Sequence, residues 1–136
     1  MGEPIRMLRI AYWTGAILDA ITIIPMVSPR VGAAVFGIRD FHPGPDYRYA
    51  MYLAASLMLG WTCLLIWADR KPLERRGVLV LTVFPVVAGL FLAGVYAVAS
   101  RLVGLGHLLP MFVLQLLVST LFLYAYFRSR EATGRS

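Results

Sequence analysis

Four apolar stretches of membrane-crossing length, at 8–27, 48–68, 78–98 and 107–127, dominate this chain of 136 residues. Each reaches the roughly 20 residues that a helix needs to cross a hydrocarbon core of about 30 Å. Lipid offers no partner to a free backbone N–H or C=O, so such stretches must fold as helices or as a closed barrel. Continuous apolar runs, rather than the alternating pattern of barrel strands, select helices. The composition agrees: 60% of the residues are hydrophobic, 15% are charged and the mean hydropathy is +0.74. A soluble domain carries roughly 45–50% apolar residues.

The fold class expected is therefore all-α: a polytopic membrane protein built as an antiparallel four-transmembrane-helix bundle, one domain over 1–130. The last residues, 131–136, are polar and read as a frayed tail. The formal net charge is +6 with a pI near 10. The basic residues sit in short clusters beside the apolar runs, which suits topogenic signals and anionic lipid headgroups better than nucleic acid. Arg6, Arg9, Arg70, Lys71, Arg75, Arg76, Arg128, Arg130 and Arg135 fall on one side; Arg30, Arg39, Arg48 and Arg101 fall on the other. The heavier side is expected in the cytoplasm, with both termini, in a cell (inner) membrane.

Two connections, at 69–77 and 100–106, are short and make the spans they join neighbours. The first outer connection is longer. Its first half, 29–38, is apolar with small residues and predicts a short interfacial helix. Its second half, 39–46, holds Pro43, Gly44 and Pro45 and reads as a turn.

Helix interfaces in membranes favour small and weakly polar residues. Stripes of these at helical spacing predict the inward faces: Ala11, Gly15, Asp19, Thr22 and Met26 on the first span, and Tyr52, Ser56, Gly60, Cys63 and Trp67 on the second. The third offers Thr82, Val86, Gly89, Ala93, Tyr96 and Ser100, and the fourth Met111, Gln115, Ser119, Phe122 and Tyr126.

Asp19 is the one acid deep in a span. An aspartate there costs roughly 2.5–3.5 kcal/mol on insertion scales, so it should face the bundle and find a partner. It lies eight residues before position 27, or ~12 Å at 1.5 Å per residue. Gln115 lies at a matching depth on the fourth span, with Ser56 and Gly89 at the same level on the other two. A polar layer of Asp19, Ser56, Gly89 and Gln115 is expected, with Asp19 contacting Gln115 directly or through one water, Thr22 within reach and Tyr96 above. This layer is the candidate ligand-binding or proton site. Arg30, Arg39, Arg48, Arg101 and His107, near the outer ends, are candidate headgroup contacts.

The residues suggest no catalytic set, metal site or cofactor. The two histidines, His42 and His107, both lie at the outer face, without an obvious nucleophile beside them. Asp40, His42 and Asp46 interleave with prolines in a spacing that matches no closed metal motif. The single cysteine, Cys63, allows no internal disulfide.

The run Gly15-Ala-Ile-Leu-Asp19, in the first span of a four-span chain, resembles the start of the small multidrug resistance transporters, whose first-span acid exchanges protons for cationic drugs. That resemblance implies proton-coupled transport through Asp19. A first-span Asp followed by a proline-containing outer loop also resembles the emopamil-binding, sterol isomerase-like fold, and implies lipid chemistry. The pattern Tyr12-Trp-x-Gly-x-x-x-Asp19, with Trp61 and the Arg-Arg-Gly77 turn, is similar to uncharacterised small prokaryotic four-span membrane proteins.

Taken together, these readings favour a non-enzymatic membrane protein. It would bind a lipid or hydrophobic ligand in the bundle, or serve as an accessory subunit of a membrane complex. A proton-coupled transporter using Asp19 and a lipid-modifying enzyme are the alternatives. The partners expected are membrane lipids, with a protein partner or a second copy of the chain in the same membrane.

Overall fold

A computed structural model describes residues 2–134. The described residues form helices and turns and no strand. The helices are α1 (Gly2–Val27), α2 (Pro29–Phe36), α3 (Pro45–Asp69), α4 (Gly77–Ala99) and α5 (Leu105–Gly134). All but α2 are long and apolar enough to cross a membrane. The start of α1 meets the end of α3, and the start of α4 meets the end of α5, so the four long helices alternate in direction.

The chain ends differ from the expected frame. Helix α1 begins well before position 8, and α5 continues through Gly134 instead of fraying from residue 131. Arg76 holds that last turn: its guanidinium donates to the Ser129 carbonyl at 3.1 Å and to Thr133 Oγ1 at 3.2 Å. Arg135 and Ser136, the rest of the expected tail, lie outside the described residues.

Helix α1 is the central member. It packs along α3 and against α5, while α4 rests chiefly on α5. The largest core cluster gathers Leu8, Tyr12 and Ala16 of α1, Leu65 and Ala68 of α3, Leu79 and Val83 of α4, and Phe122 and Ala125 of α5. All of these lie in the half of the bundle that ends in the basic turn 70–76. Gly15 makes a close crossing: a Cβ there would stand 2.7 Å from Phe122 Cζ and 3.0 Å from Leu65 Cδ1. Lipid gives apolar faces no reason to prefer each other, so close packing and polar contacts hold such helices together.

Polar contacts concentrate at the same end. Arg9 Nε lies 3.3 Å from Asp69 Oδ1, an ion pair across α1 and α3. Trp13 Nε1 donates to the other Asp69 oxygen at 3.3 Å. The buried Tyr12 hydroxyl donates to the Pro72 carbonyl at 3.3 Å. The Arg75 guanidinium stacks over the Trp67 ring, 3.3 Å from its centroid, and donates to the Trp67 carbonyl. Arg75 and Trp67 thereby fix the turn that reverses the chain from α3 into α4.

The expected inward face of α3 is wrong by about one residue of rotation. Tyr52, Ser56, Gly60, Cys63 and Trp67 are all exposed. The buried line is Ala55, Met58, Thr62 and Leu65. It continues at helical spacing to Asp69, which must face α1 to meet Arg9 and Trp13. The polar anchor at the helix end therefore fixes the rotation, and small residues in mid-span do not. On α4, Thr82 is buried as expected, but Gly89, Ala93, Tyr96 and Ser100 are exposed. The expected lines on α1 and α5 do face the bundle: Ala11, Gly15 and Phe122 are buried, and the others are partly buried.

Proline shapes two of the helices locally. Residues Thr82–Val87 of α4 form a π-helical turn around Pro85. Proline has no N–H to donate and its ring crowds the carbonyl four residues back; the wider turn relieves that crowding. Trp61 Nε1 donates to Thr82 Oγ1 at 3.1 Å and pins this turn to α3. At the other end, α2 folds back on α1 where Gly32 meets the Pro25 carbonyl, a contact that leaves 2.9 Å for a Cβ. The short helix expected over 29–38 is thus present as α2.

Two glycines of equal helical cost and opposite surroundings test this packing. Gly15→Val should lower stability by roughly 1–3 kcal/mol through overpacking against Phe122 and Leu65. Gly60→Val has open space around it and should lie within about 0.5 kcal/mol of the wild type. Equal losses in a thermal melt of the two detergent-solubilised variants would overturn this account of the crossing.

Candidate functional site

The polar layer expected at mid-depth is not assembled. Ser56 points away from the bundle and its hydroxyl donates to the Leu53 carbonyl at 2.9 Å. Gly89 is exposed, and a Cβ there would touch nothing. Thr22 is partly buried, but its hydroxyl is spent on the Leu18 carbonyl at 2.8 Å. Tyr96 is 73% exposed. The rotation of α3, and the packing of α4 chiefly on α5, leave Ser56 and Gly89 outside the interior.

Asp19 and Gln115 remain inside, and no hydrogen bond joins them. Asp19 Oδ2 and Gln115 Oε1 are both buried and both lack a protein partner. Each oxygen can accept a hydrogen bond, and no group of the protein donates one to it. Buried polar atoms without a partner are rare, and each calls for a physical explanation such as water, an ion or a ligand. Asp69 Oδ1 also lacks an aligned hydrogen bond, but it has the Arg9 guanidinium beside it.

Gln115 opens onto a groove between α4 and α5 of about 350 Å³. Helix α4 lines it with Val83, Phe84, Val87, Ala88, Phe91 and Leu92; α5 contributes Gln115, Leu116 and Ser119. The two helices close together at the groove's outer end, where Phe112 seats against Gly94 and its ring centre lies 5.0 Å from that of Phe91. The π turn around Pro85 forms the other end of the α4 wall. The groove is therefore an apolar channel along the outside of a helical hairpin, with one amide in its wall.

Sequence reasoning missed this groove because it placed the candidate site inside the bundle, in a polar layer around Asp19. Its signals were present: Pro85 in mid-span, Ala88 facing out, and the chain's one glutamine, Gln115, on the inward stripe of α5. A second, smaller hollow of about 210 Å³ lies at the basic end, between Ile5 and Arg9 of α1 and the turn from Lys71 to Glu74. Both of its cations are engaged, Arg9 with Asp69 and Lys71 with Glu74 at 3.0 Å.

The outer-end cations are placed differently. Arg30, Arg39, Arg48 and Arg101 are exposed. Among the described residues, no carboxylate lies within ion-pair distance of any of them; the ion pairs of the structure all lie at the basic end. His107 is exposed and lays its ring against Gly37, the left-handed residue (φ 66°) that ends α2. This contact joins α2 to the first turn of α5. In the loop 37–44, His42 Nδ1 lies 3.0 Å from the Asp40 carbonyl, and the Phe41 and Tyr47 rings meet edge to face at 5.1 Å. Among the described residues, no three His, Cys, Asp or Glu side chains are grouped to hold a metal ion.

No protein-family model, no curated protein and no solved structure matches this chain.

The unpartnered Asp19 oxygen gives a direct test of what that residue contributes to folding. An apolar replacement removes a buried group whose desolvation costs roughly 1–3 kcal/mol without a returned bond. Asp19→Leu should therefore melt at the wild-type temperature or above it in detergent. A fall of several degrees would show that the carboxyl holds the bundle together.

Proposed function

We propose that this chain is a non-enzymatic, multi-pass protein of a cell (inner) membrane that holds an apolar, lipid-like molecule in the groove between α4 and α5. The basic end, with both termini, faces the cytoplasm in this reading, and α2 lies at the opposite interface. The observation that carries the proposal is the pairing of an apolar groove with a buried, unpartnered amide oxygen on Gln115. Binding sites for small apolar molecules are mostly hydrophobic, with a few placed polar groups that fix orientation. A helix surface that merely faced fluid lipid would have no use for an amide there, and a bare amide oxygen in hydrocarbon is costly.

A second reading has its own observation. The exposed line Ser56, Gly60 and Cys63 on α3 is the kind of small-residue face on which membrane helices approach each other closely. An accessory subunit would present such a face to a partner in the same membrane.

Native mass spectrometry of the protein, extracted in the mildest effective detergent, tests both. The expected spectrum shows the chain with a discrete small mass attached. Leu116→Trp, which fills the groove, should lose that mass without a drop in melting temperature. Retention of the small mass by Leu116→Trp would sink the groove as its site. A second polypeptide at fixed stoichiometry, with no small molecule, would replace the ligand reading with the subunit reading.

A further inference from the structure

We infer that the groove's occupant is a lipid with an anionic headgroup, its acyl chain lying between α4 and α5 and its head on Arg101. This inference rests on the groove reading above and names the class of molecule. From residue 77 to residue 127, the whole hairpin that builds the groove carries one Asp, Glu, Lys or Arg side chain, and it is Arg101. That charge sits in the connection between the two groove-lining helices.

Several observations tie Arg101 to the groove. The α4 wall continues at helical spacing: Phe84, Ala88 and Leu92 lead to Tyr96, four residues on, which is 73% exposed. The wall from Val83 to Leu92 spans about 14 Å, and Tyr96 and the Arg101 turn lie beyond it toward the interface. Tyrosine and arginine are the side chains that take position at the headgroup level. The Arg101 backbone, with φ at 59°, is the left-handed residue that caps α4: its N–H donates to the Val98 carbonyl and that of Leu102 to the Ala97 carbonyl, which fixes the turn at the helix end. Its neighbours in the turn, Leu102, Val103, Gly104, Leu105 and Gly106, supply no counter-charge. An exposed guanidinium without a carboxylate, in the connection beyond the Phe112–Gly94 contact that closes the groove's outer end, matches an anionic head whose acyl chain runs down the hairpin.

Photo-crosslinking decides this. The full chain is reconstituted in phosphatidylcholine vesicles doped with a lipid that carries a diazirine in its acyl chain and either a phosphatidylglycerol or a phosphatidylcholine head. Labelled positions are mapped by peptide mass spectrometry. Both probes should label 83–92 and 115–119, phosphatidylglycerol about fivefold more strongly, the factor expected for one interfacial arginine. Arg101→Gln should remove that preference and leave groove labelling in place. Arg130→Gln, an equal loss of charge at the opposite end, should leave the preference intact. Equal labelling by the two heads in the wild type, or a preference that survives Arg101→Gln, overturns the anionic head while the groove stands. Absence of labelling at 83–92 and 115–119 with either probe overturns the groove itself.

Discussion

Asp69 is the contact on which the arrangement of this bundle turns. It ends α3, accepts from Trp13 and pairs with Arg9, and its side chain is only 15% exposed. In water such a pair would add little to stability, because solvent competes for both partners. Its weight here is geometric. A helix in lipid can rotate about its axis at small cost when both of its faces are apolar, and α3 has such faces. Fixing Asp69 against α1 fixes the whole line Leu65, Thr62, Met58 and Ala55 above it. Tyr12, bonded to the Pro72 carbonyl one turn along, holds the same helix pair at the same end.

The closed basic end and the open groove follow from one another. Leu8, Tyr12, Leu65, Leu79 and Phe122 close the bundle there, and Arg76 ties α4 to α5 through Ser129. Trp61 to Thr82 is the last side-chain hydrogen bond from α3 to α4 among the described residues. Just beyond it Pro85 widens α4 into a π turn, and α4 then leans on α5, with Gly94 receiving Phe112. The helix that leans carries few inward side chains: Gly94 is the buried residue of its last three turns. Between the pinned turn and the Gly94 contact, the two helices leave the groove.

The sequence made the architecture legible and the interior only partly so. Span number, helicity, short connections and the helix at 29–36 follow from hydropathy and turn chemistry, which local physics sets. The inward lines of α1 and α5 were also readable, because Gly15 and Gln115 sit on them and their opposite faces are uniformly branched or aromatic. Helix α3 was misread because Ser56, Gly60 and Cys63 are the smaller residues while Met58 and Leu65 look like lipid-facing ones. Asp69 held the missing information. Placed at the helix end, with Arg9 and Trp13 in α1, it marks which side of α3 must face inward. Asp19 and Gln115 both lie partly buried on the inward lines of their helices, and no direct hydrogen bond joins them, since a match of depth along the chain says nothing about rotation.

Asp19 and Gln115 end in the same chemical situation by different routes. Asp19 follows Leu8, Tyr12 and Gly15 along the inward line of α1, so the packing that buries Tyr12 carries Asp19 into the interior as well. Gln115 follows Phe122 and Ser119 along α5 and reaches the groove wall. Both present an oxygen with no donor in the protein. A leucine at either position would meet the packing demands of its helix without that cost. Packing therefore accounts for where these side chains lie and not for why they are polar. A donor arriving from outside the chain would account for both, and at this depth of burial water is the group small enough to supply it.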